Sequence, residues 1–369
     1  MTINYQTALW QRLSEHNLVT GEEPEFTEDS APWYVRTMLG IAGWVSAIFL
    51  LSALFSGIAM IVDSALVAGV LGVIACLLAI VIYRMAKQSD FLAQFGFAIS
   101  LAGQGLLVFS MLKGLQLFEG GEAFISQVRL LALMLAVLQI ILFTTIPNFL
   151  HRIWSGIIGI GAITFLLIQL GLYPFTITIL LAAVAIVWLQ EFKWAKYSSM
   201  VQALGYSLVF VCFAHLITDN HVLGFSQFWQ ETFSVTPLGG AWGSSLAAFL
   251  SGGVLIAVVG VMLQRMQLEP MSGKGVAALS LALLIAIIGI RTPGITIGLV
   301  FVLLGYAHGN KVLLGIGLVT LVVFLSQFYY QLNFTLLQKS LVLFFSGIAL
   351  LVIRHLMGVF WPQLESNDA

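Results

Sequence analysis

Between residues 33 and 361 the chain is an almost continuous series of apolar stretches, separated from one another by one or a few charged residues. An α-helix of roughly 20 apolar residues is long enough to cross the hydrocarbon core of a bilayer. It also satisfies its backbone hydrogen bonds internally, as lipid requires. The pattern therefore predicts an all-α polytopic membrane protein of about twelve transmembrane helices.

The predicted spans differ in how clearly their ends are marked. Two short candidates, 275–290 and 294–308, are separated only by the sequence Arg291-Thr292-Pro293-Gly294, so they form either two spans or one re-entrant hairpin. The full set of predicted spans is 34–60, 64–85, 91–112, 130–147, 153–172, 175–192, 199–218, 245–264, 275–290, 294–308, 311–330 and 341–361.

Polar segments flank this membrane domain, which we place at 33–361. Residues 1–32 combine a short amphipathic stretch around Trp10 with a run of glutamates. We interpret them as an acidic cytoplasmic N-terminal segment, and 362–369 as a cytoplasmic tail. The polar start of the chain does not resemble a cleavable signal peptide.

Lysine and arginine accumulate on one side of the predicted spans. With the N-terminus in the cytoplasm, eleven of them fall on the cytoplasmic side and four on the opposite side. Because cytoplasmic loops carry an excess of basic residues, we expect both termini in the cytoplasm. The four outer cations are Lys113, Arg129, Arg291 and Lys339.

A longer pattern suggests internal repetition. Basic turns at 84–87, 193–196 and 309–311 each follow an apolar span, and the returning spans carry Gly96, Gly205 and Gly317. The spacing is about 110 residues, or four spans, and a fixed period is the mark of a repeat. The hypothesis is three parallel four-helix repeats. Its alternative is that apolar hairpins resemble one another without any repeat.

Composition supports a membrane protein and excludes other classes. Hydrophobic residues make up 60% of the chain and charged residues 8%, and the mean hydropathy is +1.03. A soluble surface needs more polar residues. A net charge of −1 argues against nucleic-acid binding, which requires a basic face. The histidines and the two cysteines lack metal-ligand spacing, so we predict no metal and no cofactor.

Ionisable groups inside the spans are functional candidates, because their burial in lipid is costly. Almost all of the acids lie at span ends or in loops, and Glu191 is the deepest. This argues against a proton- or sodium-coupled transporter. We expect the neutral polar residues of the spans to join helices by hydrogen bonds. They are Gln104, Gln139, Gln169, Gln202, His215 and Gln327.

Three groups of polar and aromatic residues lie on the predicted outer side. The first is the loop with Trp229, Glu231 and Trp242, and the second is Arg291 beside a proline. The third is Phe328-Tyr329-Tyr330-Gln331, followed by Thr335, Lys339 and Ser340. Each has an alternative reading as an interfacial aromatic belt or a lipid anchor. If the repeats converge, we expect a binding site for an anionic head group. Its residues would be Arg291, Tyr329, Tyr330, Gln331 and Lys339.

The C-terminal part of the chain resembles a known family. Phe328-Tyr329-Tyr330-Gln331-Leu332, followed by Lys339-Ser340, is similar to the closing signature of a bacterial integral-membrane family catalogued as a domain of unknown function, DUF4401, which is related to DUF2157. The stretch from Gln94 to Gly105 is similar to its earlier part. The resemblance implies an inner-membrane protein, often encoded beside a small membrane protein with a Gly-Asp-Tyr motif. It implies no catalytic residue.

Three functional hypotheses follow. The first is a non-enzymatic component of the bacterial inner membrane that binds a membrane-protein partner as well as membrane lipids. The second is a transporter or lipid-handling protein for an anionic or amphiphilic small molecule. The weakest is a membrane-embedded enzyme, since no motif for nucleophilic, metal-dependent or phosphate-binding chemistry is present.

Overall fold

The computed structural model is helical through most of the region between residues 33 and 352, and the ranges it describes contain no strand. The described residues are 10–16, 19, 33–58, 64–85, 89–117, 124–219, 238, 240–290, 292–331 and ten helical positions between 337 and 352.

The chain divides into two compact units, Met1–Glu119 and Gly120–Ala369. The first unit holds α1 (Trp33–Ile58), α2 (Ala65–Met85) and α3 (Asp90–Gly114). The labelled helices of the second unit are α4 (Phe124–Thr145), α5 (Phe149–Leu167), α6 (Thr176–Leu189), α7 (Ser198–Asp219), α8 (Gly240–Arg265), α9 (Gly273–Gly289), α10 (Pro293–Ala307) and α11 (Lys311–Gln331).

Six described helical segments are long and apolar enough to cross a membrane, which supports the predicted membrane protein. They are Ala65–Met85, Phe91–Gly114, Phe124–Thr145, Phe149–Leu189, Glu191–Thr218 and Trp242–Arg265. The segment Phe149–Leu189 contains both α5 and α6, which are joined by two short turns. The total of twelve spans stays a prediction.

The uncertain region 275–308 forms two separate helices, α9 and α10, of 17 and 15 residues. At 1.5 Å per residue they are about 25 and 22 Å long, less than the roughly 30 Å of a bilayer core. Pro293 begins α10, where its missing N–H is harmless and its fixed φ favours a helix start.

In the first unit, α3 packs against both α1 and α2. Trp44 of α1 donates a hydrogen bond to Gln94 of α3 at 3.1 Å, and its ring meets the edge of Phe97. Ser110 of α3 donates to the carbonyl of Ala65 at 2.6 Å. These two hydrogen bonds join α3 to α1 and α2.

In the second unit, α5 packs between α4 and α7, while α6 contacts α7, α8 and α10. The buried core is formed mainly by α6, α7, α8 and α10. Thr178 is one of its buried polar residues; it donates to the carbonyl of Ala247 at 2.8 Å and lies 2.7 Å from Ser251 Oγ. These bonds pair buried hydroxyls of α6 and α8 away from water.

The three hairpins singled out by the repeat hypothesis share one packing detail. A methyl group added at Gly96, Gly205 or Gly317 would come within 3.0 Å of the preceding helix. Gly205 lies directly against the indole of Trp188. Each returning helix therefore approaches its partner where it has no side chain. The larger claim, a threefold repeat of four-helix units, stays a prediction.

Candidate functional site

Most of the predicted outer residues lie beyond the part of the chain that the structure describes. These are Trp229, Glu231, Arg291 and Lys339. Tyr329, Tyr330 and Gln331 are the last residues of α11, but their side chains also fall outside the described set. Trp242 lies near the start of α8 with 63% of its surface exposed. The predicted convergence of Arg291 and Lys339 is therefore still a prediction.

A different site is visible in the second unit, along the seam between α5 and α7. At one end of the seam the helices touch, because Gly156 lies against Ser207, whose hydroxyl donates to the carbonyl of Ile153 at 2.9 Å. Further along, the helices leave an open groove of about 330 Å³. Its lining residues are Ile157, Gly161, Thr164, Phe165, Ile168, Phe210, Val211, Ala214, His215 and Thr218.

The groove is apolar at one end and polar at the other. Helices α5 and α7 run in the same direction, since Gly156 meets Ser207 and later residues of both helices line the groove beyond that contact. Thr164, His215 and Thr218 come late in their helices, so they lie toward one end of the groove. Ile157 and Phe210 lie toward the other end. Such a polarity gradient suits a molecule with an apolar tail and a polar head.

One polar group of the groove has no hydrogen-bond partner. The Thr164 hydroxyl is buried, with 6% of the residue exposed, and it forms no hydrogen bond in the described structure. A buried polar group without a partner costs about 1–3 kcal/mol. A bound molecule that supplies a partner would remove that cost.

His215 is held in place by the turn that precedes α6. Its Nε2 lies 2.7 Å from the hydroxyl of Thr176, and the ring of Tyr173 meets it edge-on. The Thr176 hydroxyl also donates to the carbonyl of Tyr173 at 2.7 Å. A hydroxyl has one hydrogen, so in this arrangement Thr176 accepts from His215. Thr176 is fully buried, so the pair positions the ring and does not expose a nucleophile.

Between α5 and α6 the backbone departs from α-helical geometry at the same end of the groove. Residues Ile168–Leu172 form a π-helical turn, and Gly171 has φ of 79°. Glycine adopts this left-handed conformation without strain. The Gly171 carbonyl accepts from the amide of Leu238 at 2.8 Å. Single π-helical turns occur often at functional sites.

The π-turn also brings Gln169 to the first helix of the unit. Arg129 of α4 donates from Nε to Gln169 Oε1 at 3.4 Å and from Nη2 to the Gln169 carbonyl at 3.3 Å. The Arg129 side chain is exposed, whereas Gln169 is buried with 6% exposure. The Arg129 cation is thus bonded to the π-helical turn, and the first residue of that turn, Ile168, lines the groove.

A family comparison covers nearly the whole membrane region. The model of a family described as a domain of unknown function, DUF4401, matches residues 32–358. The chain belongs to the DUF4401 family. No curated protein and no solved structure matches it. The resemblance found in the sequence is therefore confirmed, and the description of the family names no ligand or reaction.

The hydrogen-bonding role predicted for the neutral polar residues is confirmed at three positions of this DUF4401 chain, one of which is His215, bonded to Thr176 of α6. Gln169 joins the π-turn to α4 through Arg129. Gln202 of α7 donates to Glu191 at 2.8 Å and so holds the turn that follows α6. The side chain of Gln327 lies outside the described residues.

The threonines that line the groove were not predicted as site residues. Thr164 and Thr218 stand in apolar spans, where single threonines are common. A usable signal was their spacing: Ile157, Gly161, Thr164 and Ile168 recur at three- and four-residue intervals. That spacing puts them on one face of α5. Only the structure shows that none of the described helices covers this face along the groove.

Proposed function

We propose that this DUF4401 protein is a non-enzymatic protein of the bacterial inner membrane that binds an amphiphilic molecule in the groove between α5 and α7. The observation that carries the proposal is the groove of about 330 Å³ with one polar end and an unpartnered Thr164 hydroxyl. This volume lies at the lower end of the range of small-molecule pockets, about 300–1,000 Å³.

The chemistry of the lining favours binding over catalysis. The groove offers hydroxyl and imidazole groups but no carboxylate, thiol or amine. The membrane-length helices carry Asp or Glu only at their ends. A lipid-like molecule needs an apolar surface for its chain and a few hydrogen bonds for its head, and this groove supplies both. The partner-binding role favoured by the sequence stays a prediction, because no described contact bears on it.

Filling the groove should weaken binding without disturbing the fold. A Cβ built on Gly161 meets no atom within 4 Å, so Gly161→Phe places a ring in the groove without a backbone clash. We expect the affinity for dodecanol, a neutral amphiphile, to fall about tenfold or more. Equilibrium binding of radiolabelled dodecanol to the purified full chain in a non-ionic detergent measures this.

The matched control is Gly253→Phe on α8, where an added Cβ also meets no atom within 4 Å. Gly253 does not line the groove, so this variant should bind dodecanol like the unaltered protein. Equal binding by both phenylalanine variants and the unaltered chain would contradict the groove as the binding site.

The proposed orientation, with both termini in the cytoplasm, can be tested by cysteine labelling. Leu238 and Met271 are 55% and 89% exposed, and the two native cysteines are buried. On intact cells, a membrane-impermeant maleimide should label Leu238→Cys. It should label Met271→Cys only after the cells are opened. The reverse pattern would contradict the orientation.

A further inference from the structure

Arg129 and Gln169 together present hydrogen-bond donors without matching acceptors. A guanidinium group only donates, so the side-chain oxygen of Gln169 must face Arg129. The amide nitrogen then points away from Arg129. That nitrogen, Nε2, is buried and has no hydrogen-bond partner in the described structure. The orientation of the amide is thus determined by chemistry and leaves a buried N–H₂ group unsatisfied.

The Arg129 guanidinium also has more N–H donors than its described hydrogen bonds use. It carries five N–H groups, and its described hydrogen bonds use two of them. Both go to the uncharged Gln169, and at 3.3–3.4 Å both are longer than the usual 2.7–3.2 Å. In the described structure the positively charged guanidinium is therefore bonded only by long hydrogen bonds to neutral oxygens. Guanidinium groups bind carboxylates and phosphates more strongly, through charge-assisted bonds.

Gln169, to which Arg129 is bonded, is next in the chain to a residue that lines the groove. Gln169 directly follows Ile168, which lines the polar end together with Thr164. The π-helical turn at Ile168–Leu172 holds both residues at the end of α5. An amphiphile whose chain lies along α5 and α7 would bring its head group to this end.

From these contacts we infer that Arg129 and Gln169 bind an oxyanion, a phosphate or a carboxylate, as the head group of the amphiphile in the groove. The guanidinium supplies the charge, and Gln169 Nε2 supplies a buried donor. The assignment of the tail rests on the function proposed above, whereas the oxyanion site rests on Arg129 and Gln169 alone.

If Arg129 and Gln169 only link α4 to the π-turn, the effect expected of Gln169→Glu is opposite to the one expected of an oxyanion site. Gln169→Glu keeps the size of the side chain but supplies a carboxylate beside Arg129. A link between α4 and the π-turn would be kept or strengthened by this change. An oxyanion site would be lost, because the protein's own carboxylate would occupy the guanidinium and repel a second anion.

The test compares dodecyl phosphate with dodecanol, which have the same chain and different heads. For the unaltered full chain in non-ionic detergent, we expect dodecyl phosphate to bind about tenfold more tightly than dodecanol. In Arg129→Gln and in Gln169→Glu the ratio of the two affinities, dodecyl phosphate over dodecanol, should fall to about one. Thermal unfolding of each variant, measured in the same detergent, shows whether the fold is retained.

The possible results separate this inference from the proposed function. Dodecanol binding without a preference for the phosphate, or a preference that survives in both variants, overturns the oxyanion site and leaves the groove intact. Binding of inorganic phosphate that needs Arg129, with no binding of dodecanol, supports the oxyanion site and contradicts the amphiphile function. Competition by inorganic phosphate against dodecyl phosphate but not against dodecanol supports both.

Discussion

Replacing Trp188 by alanine is expected to lower the free energy of unfolding by about 3 kcal/mol. Trp188 is 2% exposed near the end of α6. Its ring lies 5.3 Å from that of Tyr206 and 6.1 Å from that of His308, and its edge rests on Gly205. Alanine would leave a cavity between α6, α7 and the turn that follows α10. In lipid the loss is mainly one of van der Waals contact, since apolar surface is not otherwise exposed to water.

This loss can be measured by reversible unfolding of the purified protein in mixed micelles with increasing dodecyl sulfate. The matched control is Trp242→Ala, because Trp242 is 63% exposed. Its substitution should change the free energy of unfolding by less than about 0.5 kcal/mol. Equal losses in the two variants would mean that the packing around Trp188 does not hold α6 in place.

Replacing Asn310 by alanine is expected to lower the free energy of unfolding by about 2 kcal/mol. Asn310 precedes α11, and its side-chain oxygen accepts from the amides of Val312 and Leu313, each at 3.1 Å. Loss of such a cap costs about 1 kcal/mol. Asn310 also exchanges two hydrogen bonds with the Tyr206 hydroxyl, at 2.7 and 3.1 Å. Their loss adds about 1 kcal/mol.

Tyr206→Phe separates the two contributions to the destabilisation expected for Asn310→Ala, the cap of α11 and the hydrogen bonds to Tyr206. It removes the hydroxyl but leaves Asn310 free to cap α11, so about half of the destabilisation is expected, measured by the same unfolding in mixed micelles. A full loss in Tyr206→Phe would contradict the capping role, and no loss would contradict the bond between the two hairpins. Dodecanol binding should persist in the folded Tyr206→Phe protein, because Tyr206 does not line the groove.

Tyr206 of α7 and Asn310, in the turn before α11, join two hairpins. Beside them the ring of Phe192, in the turn after α6, stacks on His308 at 5.7 Å. Tyr206 and Asn310 are 104 residues apart along the chain. A connection over that separation cannot be read from local patterns, because it depends on which hairpins become neighbours.

The order and approximate limits of the helices were predictable from apolar stretches interrupted by charges. For α2 the prediction 64–85 differs by one residue from Ala65–Met85, and for α7 the prediction 199–218 differs by one at each end. The largest difference is at α4, which begins at Phe124 and not at 130. Its first turns carry Ser126, Gln127 and Arg129, and polar residues at a helix start are not distinguished from a loop by hydropathy.

The candidate site was much less predictable. Gln169 and His215 were noted as polar residues in apolar spans, and Arg129 as an outer cation. Hydropathy and basic-residue counts describe each residue by its own span. They contain no information on which spans meet.

The amino-acid sequence by itself thus determined that the chain is an all-α protein of apolar helices, because lipid leaves a spanning helix only one way to satisfy its backbone. Tertiary structure alone decided that α5 and α7 touch at Gly156 and leave a groove from Ile157 onward. It also decided that Arg129 meets Gln169. In lipid all apolar faces are nearly equivalent, so the choice of neighbours depends on close packing and a few hydrogen bonds between distant residues.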